Sequence, residues 1–106
     1  MKLMTKAIEK MTPAMDASDG TTFEEKTYTA KFFDPCGRGA WFMCEYDPVD
    51  RIAFGYIVSP LGPDCDEGGY FSLAELEGVR NRLGLGIERD IHWKPGKLPK
   101  EVLNVQ

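Results

Sequence analysis

The sequence predicts an α+β fold: a small antiparallel sheet, a three-stranded meander plus a further strand, packed with one main helix and short terminal helices. Three observations carry that prediction. From Thr27 the apolar residues recur with period two, the spacing of a half-buried strand. Residues 51–58 are apolar on both faces, as in a strand covered from both sides. Ser72, with Glu75 three residues on, forms a capping box ahead of Leu73, Leu76, Val79 and Leu83, which share one helix face.

Taken in order, Thr5 caps a short helix over residues 5–11, which Pro13 ends. Residues 16–26 are polar and read as a loop. In the first strand Tyr28, Ala30 and Phe32 share a face. A turn follows at residues 34–39. The second strand, Ala40 to Tyr46, puts Phe42, Cys44 and Tyr46 on one face and Trp41, Met43 and Glu45 on the other. Residues 47–50 (DPVD) form a tight turn with proline at its second position. Gly55 in the third strand marks a close approach, with Trp41 a candidate to lie over it. Residues 59–69 read as irregular. The Ser72 helix runs to Gly84 and Gly86. Residues 87–93 form a fourth strand, with Ile87, Arg89, Ile91 and Trp93 on one face and Glu88, Asp90 and His92 on the other. Residues 99–105 suggest a last short helix.

A chain of 106 residues has room for one domain, 1–106. A net charge of −4 gives no general basic patch, so direct nucleic-acid binding is disfavoured and a protein partner fits better. Cys36, Cys44 and Cys65 are odd in number and hold no CxxC pair, which points to reduced thiols and a cytoplasmic setting. Lys2, Lys6, Glu9 and Lys10 interrupt the apolar residues of the N-terminus, and no stretch approaches a membrane span.

Four constellations bear on chemistry. The loop from Asp64 to Glu75 matches much of a calcium loop: acids at its first and third positions (Asp64, Asp66), Gly69 at the sixth and Glu75 at the twelfth. Its fifth position is Gly68 and the incoming helix is missing. A turn followed by a capping box accounts for Gly69, Ser72 and Glu75 equally well, and no metal is expected. Glu88, Asp90 and His92, alternating on one strand face, are candidates for acid–base work or a divalent metal. The alternative for them is an ordinary solvated face. Glu45 and Arg89 each interrupt an otherwise apolar face, and a covered charge needs a partner. We therefore expect them to pair, with Trp41 beside them as a candidate binding group. Cys36, Cys44, Cys65 and His92 match no usual zinc spacing, Gly37-Arg38-Gly39 reads as a hairpin turn, and Gly84-Leu85-Gly86 lacks a third glycine. No Ser-His-acid arrangement, phosphate-binding loop or nucleic-acid motif is present, and no cofactor is implied.

The order of several motifs resembles a bacterial family known as domain of unknown function 2958. The matching pieces are Lys31-Phe32-Phe33 with Pro35, Trp41 with Glu45, Phe54-Gly55, Gly69-Tyr70-Phe71-Ser72-Leu73 with Glu75-Leu76, Arg80, Gly84-Leu85, Ile87-Glu88-Arg89-Asp90, and His92 with Pro95. They run from about residue 31 to 95. The acidic loop departs from the pattern, so Asp64 and Asp66 look peculiar to this chain. The resemblance carries no activity and therefore no catalytic role. It implies a protein of bacterial plasmids, integrative elements or phages, near mobility and anti-restriction functions. The leading functional expectation is a non-enzymatic interaction or regulatory protein, with a host protein bound through an acidic surface. The alternatives are a small metal-assisted hydrolase or nuclease using Glu88, Asp90 and His92, and a calcium-binding module.

Overall fold

The computed structural model describes residues 2–103. Its elements are α1 (Lys6–Met11), β1 (Ala30–Phe33), β2 (Ala40–Asp47), β3 (Ile52–Val58), a 3-10 turn (Pro63–Cys65), β4 (Glu67–Ser72), α2 (Leu73–Gly78), β5 (Glu88–Arg89) and α3 (Lys100–Leu103). The strands form one antiparallel sheet in the order β4-β3-β2-β1-β5. The α+β class holds, but the sheet has five strands, not a meander of three with one more. Among the described residues no single helix dominates: α1 and α2 have six residues each. Residues 104–105 of the expected last helix lie outside the described residues.

Both N-cap hydroxyls bond as expected, but the Glu75 carboxylate makes no return bond to the Ser72 N–H, so the capping box is only half formed. The Thr5 hydroxyl accepts from the Ile8 N–H at 3.1 Å, and the Ser72 hydroxyl from the Glu75 N–H at 3.1 Å. The helix after Ser72 stops early, however. Val79 turns extended (φ −70°, ψ 137°), and Arg80 turns back onto the carbonyls of Glu77 and Val79. Leu83 therefore stays exposed instead of joining Leu73 and Leu76 in the core.

The sheet is covered on both faces. On one, Leu3, Ala30, Phe32, Met43, Tyr46, Ala53, Phe71, Leu73, Leu76 and Ile87 pack together with Ile8 of α1. On the other, Tyr28, Ala40, Phe42, Cys44 and Leu98 pack with Phe23, Phe54, Tyr56 and Trp93. The two helices α1 and α2 cover the first face. The second is covered by the chain before β1 and after β5. Residues 51–58, expected to be apolar on both sides, supply Ala53 to one cluster and Phe54 to the other.

Three face assignments differ from the sequence reading. A bulge at Cys44 shifts the register so that Met43 faces Gly55 but Glu45 faces Phe54. One extra residue reverses the alternation, so Tyr46 joins the helix-covered face and Glu45 the other. Tyr28 sits before β1, bridged to Gly96, and its side chain lies opposite to those of Ala30 and Phe32. The strand expected over residues 87–93 is only Glu88–Arg89. Asp90 ends it, because its carboxylate accepts the His92 N–H at 2.9 Å and its carbonyl the Trp93 N–H. Trp93 then crosses to the far face, where its indole N–H donates to the Tyr28 carbonyl at 2.9 Å.

Gly55 is required, but not for Trp41. A Cβ there would lie 1.7 Å from the Phe42 carbonyl oxygen, beside the bulge. The Trp41 ring instead lies over Gly39, 3.0 Å from where a Cβ would sit.

Candidate functional site

Glu45 is the most buried charge, 2% exposed. The bulge aims it at the polar loop before β1. Its carboxylate accepts the Asp16 N–H at 2.9 Å, the Ser18 N–H at 3.1 Å and the Ser18 hydroxyl. Asp16 takes a left-handed φ of 69°, and its N–H meets the carboxylate there. Lys26 is buried as well. Its ammonium donates to the Ser18 carbonyl at 2.7 Å, the Ser18 hydroxyl at 2.9 Å and the Thr21 hydroxyl at 2.9 Å. It also lies 5.9 Å from the ring centres of Phe23 and Phe54. Burial pushes the Glu45 pKa up, but the Ser18 hydroxyl and the two backbone N–H groups outweigh it, so the net shift is downward. Cys44 next to it is pushed up to about 11, by burial first and then by the Glu45 charge.

Arg89 lies on the opposite face of the sheet, so the expected Glu45–Arg89 pair does not form. Arg89 stands across from Phe32, and Phe32 from Trp41, in one row on the helix-covered face. Trp41 and Arg89 thus share a row on one face but stand on either side of Phe32, and both are separated from Glu45. The Arg89 guanidinium donates to the carbonyls of Lys2 at 2.9 Å and Leu3 at 3.2 Å, which fixes the segment leading into α1. Trp41 is partly buried against the same core.

Glu88, Asp90 and His92 do not converge. The strand that would align them ends at Arg89, and His92 is exposed beyond a turn. A cavity of about 250 Å³ beside α1 is lined by Asp90, Arg89, Ile91 and Trp93, but by neither Glu88 nor His92. The calcium loop is not assembled either. Gly68 and Gly69, its would-be turn, are strand residues in β4 paired with Tyr56 and Gly55. Asp66 is taken by the Arg38 guanidinium through two bonds of 2.6 and 2.5 Å, and also accepts the Ser59 N–H at 2.7 Å. That guanidinium holds the Asp66 carboxyl below its usual range. Among the described residues, no group of three His, Cys, Asp or Glu side chains is placed to hold a metal ion.

Two ion pairs escaped the sequence reading. One is Arg38–Asp66, which joins the 34–39 turn to the loop before β4. The other is Arg51–Glu77, two bonds of 2.9 Å. Glu77 also accepts the Leu3 N–H at 3.1 Å, so it ties the N-terminus, the β2–β3 turn and α2 together. Arg51 lines a second cavity, about 420 Å³, with Lys2, Lys6, Glu9 and Tyr46. Its charge is matched by Glu77, and the two lysines beside it are surface residues.

What remains open is an edge. β4 is the outer strand at one end of the sheet. Tyr70 on it is 63% exposed, its ring 4.9 Å from that of Phe54. The signal for β4 lay in the sequence, since Phe71 and Gly69 alternate with Tyr70 and Gly68. Two adjacent glycines hid it by supplying no side chains to read.

Fold and site together define a small α+β protein whose buried charges bind its own covering segments and whose sheet leaves β4 open as an edge strand among the described residues. The chain belongs to the family described as "Protein of unknown function (DUF2958)", whose model matches residues 3–99. Neither the curated proteins nor the solved structures gave a match.

Proposed function

We propose that the protein is a non-enzymatic interaction protein of a bacterial mobile element or phage, working in the cytoplasm by binding another protein. The observation that carries this reading is the assignment of its buried charges. Glu45 and Lys26 are satisfied by the fold's own groups, and no buried side-chain nitrogen or oxygen among the described residues lacks a partner. An active site of the kind expected from Glu88, Asp90 and His92 needs side chains that meet around one cavity, and these three do not. The exposed Tyr70 beside an open strand edge is instead the kind of feature protein partners use. One form of the role is anti-defence, in which the protein blocks a nucleic-acid-binding enzyme.

The test is affinity purification from a bacterial host with cross-linking, followed by plasmid-interference assays. A partner recovered in fixed proportion, and a change in plasmid establishment, are the expected results. No partner, together with turnover of a phosphodiester or ester substrate that His92→Ala abolishes, would overturn the reading.

A further inference from the structure

The hydrogen-bonding phase of β4 shows which of its backbone groups are open. The Leu73 N–H donates to the Arg51 carbonyl at 3.0 Å, so Arg51 and Leu73 are a bonded pair. Bonded and non-bonded pairs alternate in an antiparallel ladder. Phe71 and Gly69 therefore bond to β3, while Gly68 and Tyr70 turn their N–H and C=O groups outward. No described residue bonds to these outward groups. Natural edge strands are blunted by lysine, proline, shortness or a covering segment. β4 has six residues with neither lysine nor proline, whereas the opposite edge, β5, has two.

The segment that forms this edge is acidic. From Ile52 to Val79 the sequence contains no Lys, Arg or His, and it holds Asp64, Asp66, Glu67, Glu75 and Glu77. Asp66 and Glu77 are occupied by Arg38 and Arg51. Asp64, Glu67 and Glu75 are exposed, with no hydrogen bond or ion pair from their carboxylates to any described residue. Glu67 opens β4, Asp64 lies just before it, and Glu75 lies just past its end. Glu24 adds a further exposed carboxylate next to Phe23, whose ring covers Gly68. Tyr70 presents an aromatic face where the side chain of an adjoining strand would lie, a surface that suits a lysine or arginine.

We propose that β4 accepts an extended basic segment of a partner protein as an added sheet strand. Gly68 and Tyr70 supply the backbone bonds, and Asp64, Glu67 and Glu75 select positive charge. A second copy of this chain fits worse, because pairing two β4 strands would bring the carboxylates of Asp64, Glu67 and Glu75 from both copies to the junction with no basic side chain on either strand. The inference rests on the protein-binding role proposed above and names the chemistry of its partner.

The experiment uses the whole protein and synthetic peptides of about ten residues, the length of an added strand. One alternates threonine and lysine, one alternates threonine and glutamate, and a third has the lysine charge but is interrupted by prolines. Binding is read by fluorescence anisotropy, and amide exchange by nitrogen-labelled NMR. The threonine–lysine peptide is expected to bind and to slow exchange at Gly68 and Tyr70 by about tenfold or more. The glutamate peptide and the proline-interrupted peptide are expected to bind at least about tenfold more weakly. Tyr70→Pro should abolish binding. Glu67→Lys, at an exposed position outside the core, should weaken it by about threefold or more without changing the melting temperature. Equal binding of the proline-interrupted peptide would overturn the proposal, since it would mean charge attraction without strand addition. So would protection of Gly68 and Tyr70 in a dimer of the protein alone, which would make the occupant a second copy. A host partner that cross-links away from β4 would defeat this inference and leave the protein-binding role intact.

Discussion

Replacing Glu45 by glutamine preserves shape and removes charge, which makes it a sharp test of the buried network. The carboxylate accepts from the Asp16 N–H, the Ser18 N–H and the Ser18 hydroxyl. An amide has one oxygen, so its NH₂ must face one of these donors. Losing one bond to a charged acceptor costs about 1.5–3 kcal/mol. Lys26, also buried, then keeps its hydroxyl and carbonyl partners but loses the nearby negative charge. Together the loss is about 3–4 kcal/mol, at the low end of what leaving a buried charge without compensation costs. In a domain of this size each kcal/mol lowers Tm by about 4 °C or more, so E45Q should melt about 12–16 °C below wild type. The assay is thermal unfolding followed by circular dichroism at neutral pH. A drop under about 4 °C would refute the claim that Glu45 holds the 16–26 loop on the sheet. Adding Lys26→Met should cost less in E45Q than in wild type, because the two residues share Ser18.

The same residue gives a pH signature. The folded pKa of Glu45 is lowered, so its stabilisation is complete above the unfolded value and is lost as pH falls through the folded one. Wild type should therefore lose stability below about pH 4.5 more steeply than E45Q. Asp66 and Glu77, lowered by Arg38 and Arg51, titrate in the same direction and leave a residual acid slope in the variant.

Other outcomes follow from single contacts. Gly55→Ala puts a methyl against the Phe42 carbonyl, where backbone must move, and should cost about 3 kcal/mol or more by urea denaturation. Gly78→Ala meets nothing within 4 Å at the end of α2 and should gain about 0.5 kcal/mol in the same assay. Calcium at about 1 mM should leave Tm unchanged, because Arg38 occupies Asp66; a rise that Asp64→Ala removes would restore the calcium reading. A thiol reagent should label Cys36 and Cys65 in the native protein and Cys44 only after unfolding, since Cys44 is buried and burial pushes its thiol up to about 11.

Local signals were legible because they depend on neighbours in sequence. The Thr5 and Ser72 caps and the turn after β2 involve residues two or three apart, where spacing is geometry. The bulge at Cys44 was not legible. Phe42, Cys44 and Tyr46 read as an unbroken alternation, and nothing in those residues reveals that Gly55 lets the Phe42 carbonyl crowd in and shift the pairing. That shift moved Glu45 to the other face and ended its expected pairing with Arg89. β5 was overread because Asp90, which looked like a strand residue, uses its carboxylate to turn the chain. Both covered charges do have partners, but these are mostly backbone groups, which no side-chain pattern displays.

That pattern separates structural charges from those left for function. The sheet is covered largely by irregular chain, whose N–H and C=O groups need partners that a helix would have supplied internally. Glu45 provides acceptors for residues 16 and 18, Glu77 one for Leu3, and Arg89 donors for Lys2 and Leu3. Changing these should alter stability first. Arg89→Gln, which keeps length but loses the guanidinium, should lower Tm by about 4 °C or more through release of the segment that carries buried Leu3. Asp64 and Glu67 have no such duty, so reversing either should leave Tm within about 2 °C and change only what β4 binds. A Glu67→Lys protein that unfolds as readily as Arg89→Gln would break this division, because it would show the edge charge supporting the fold.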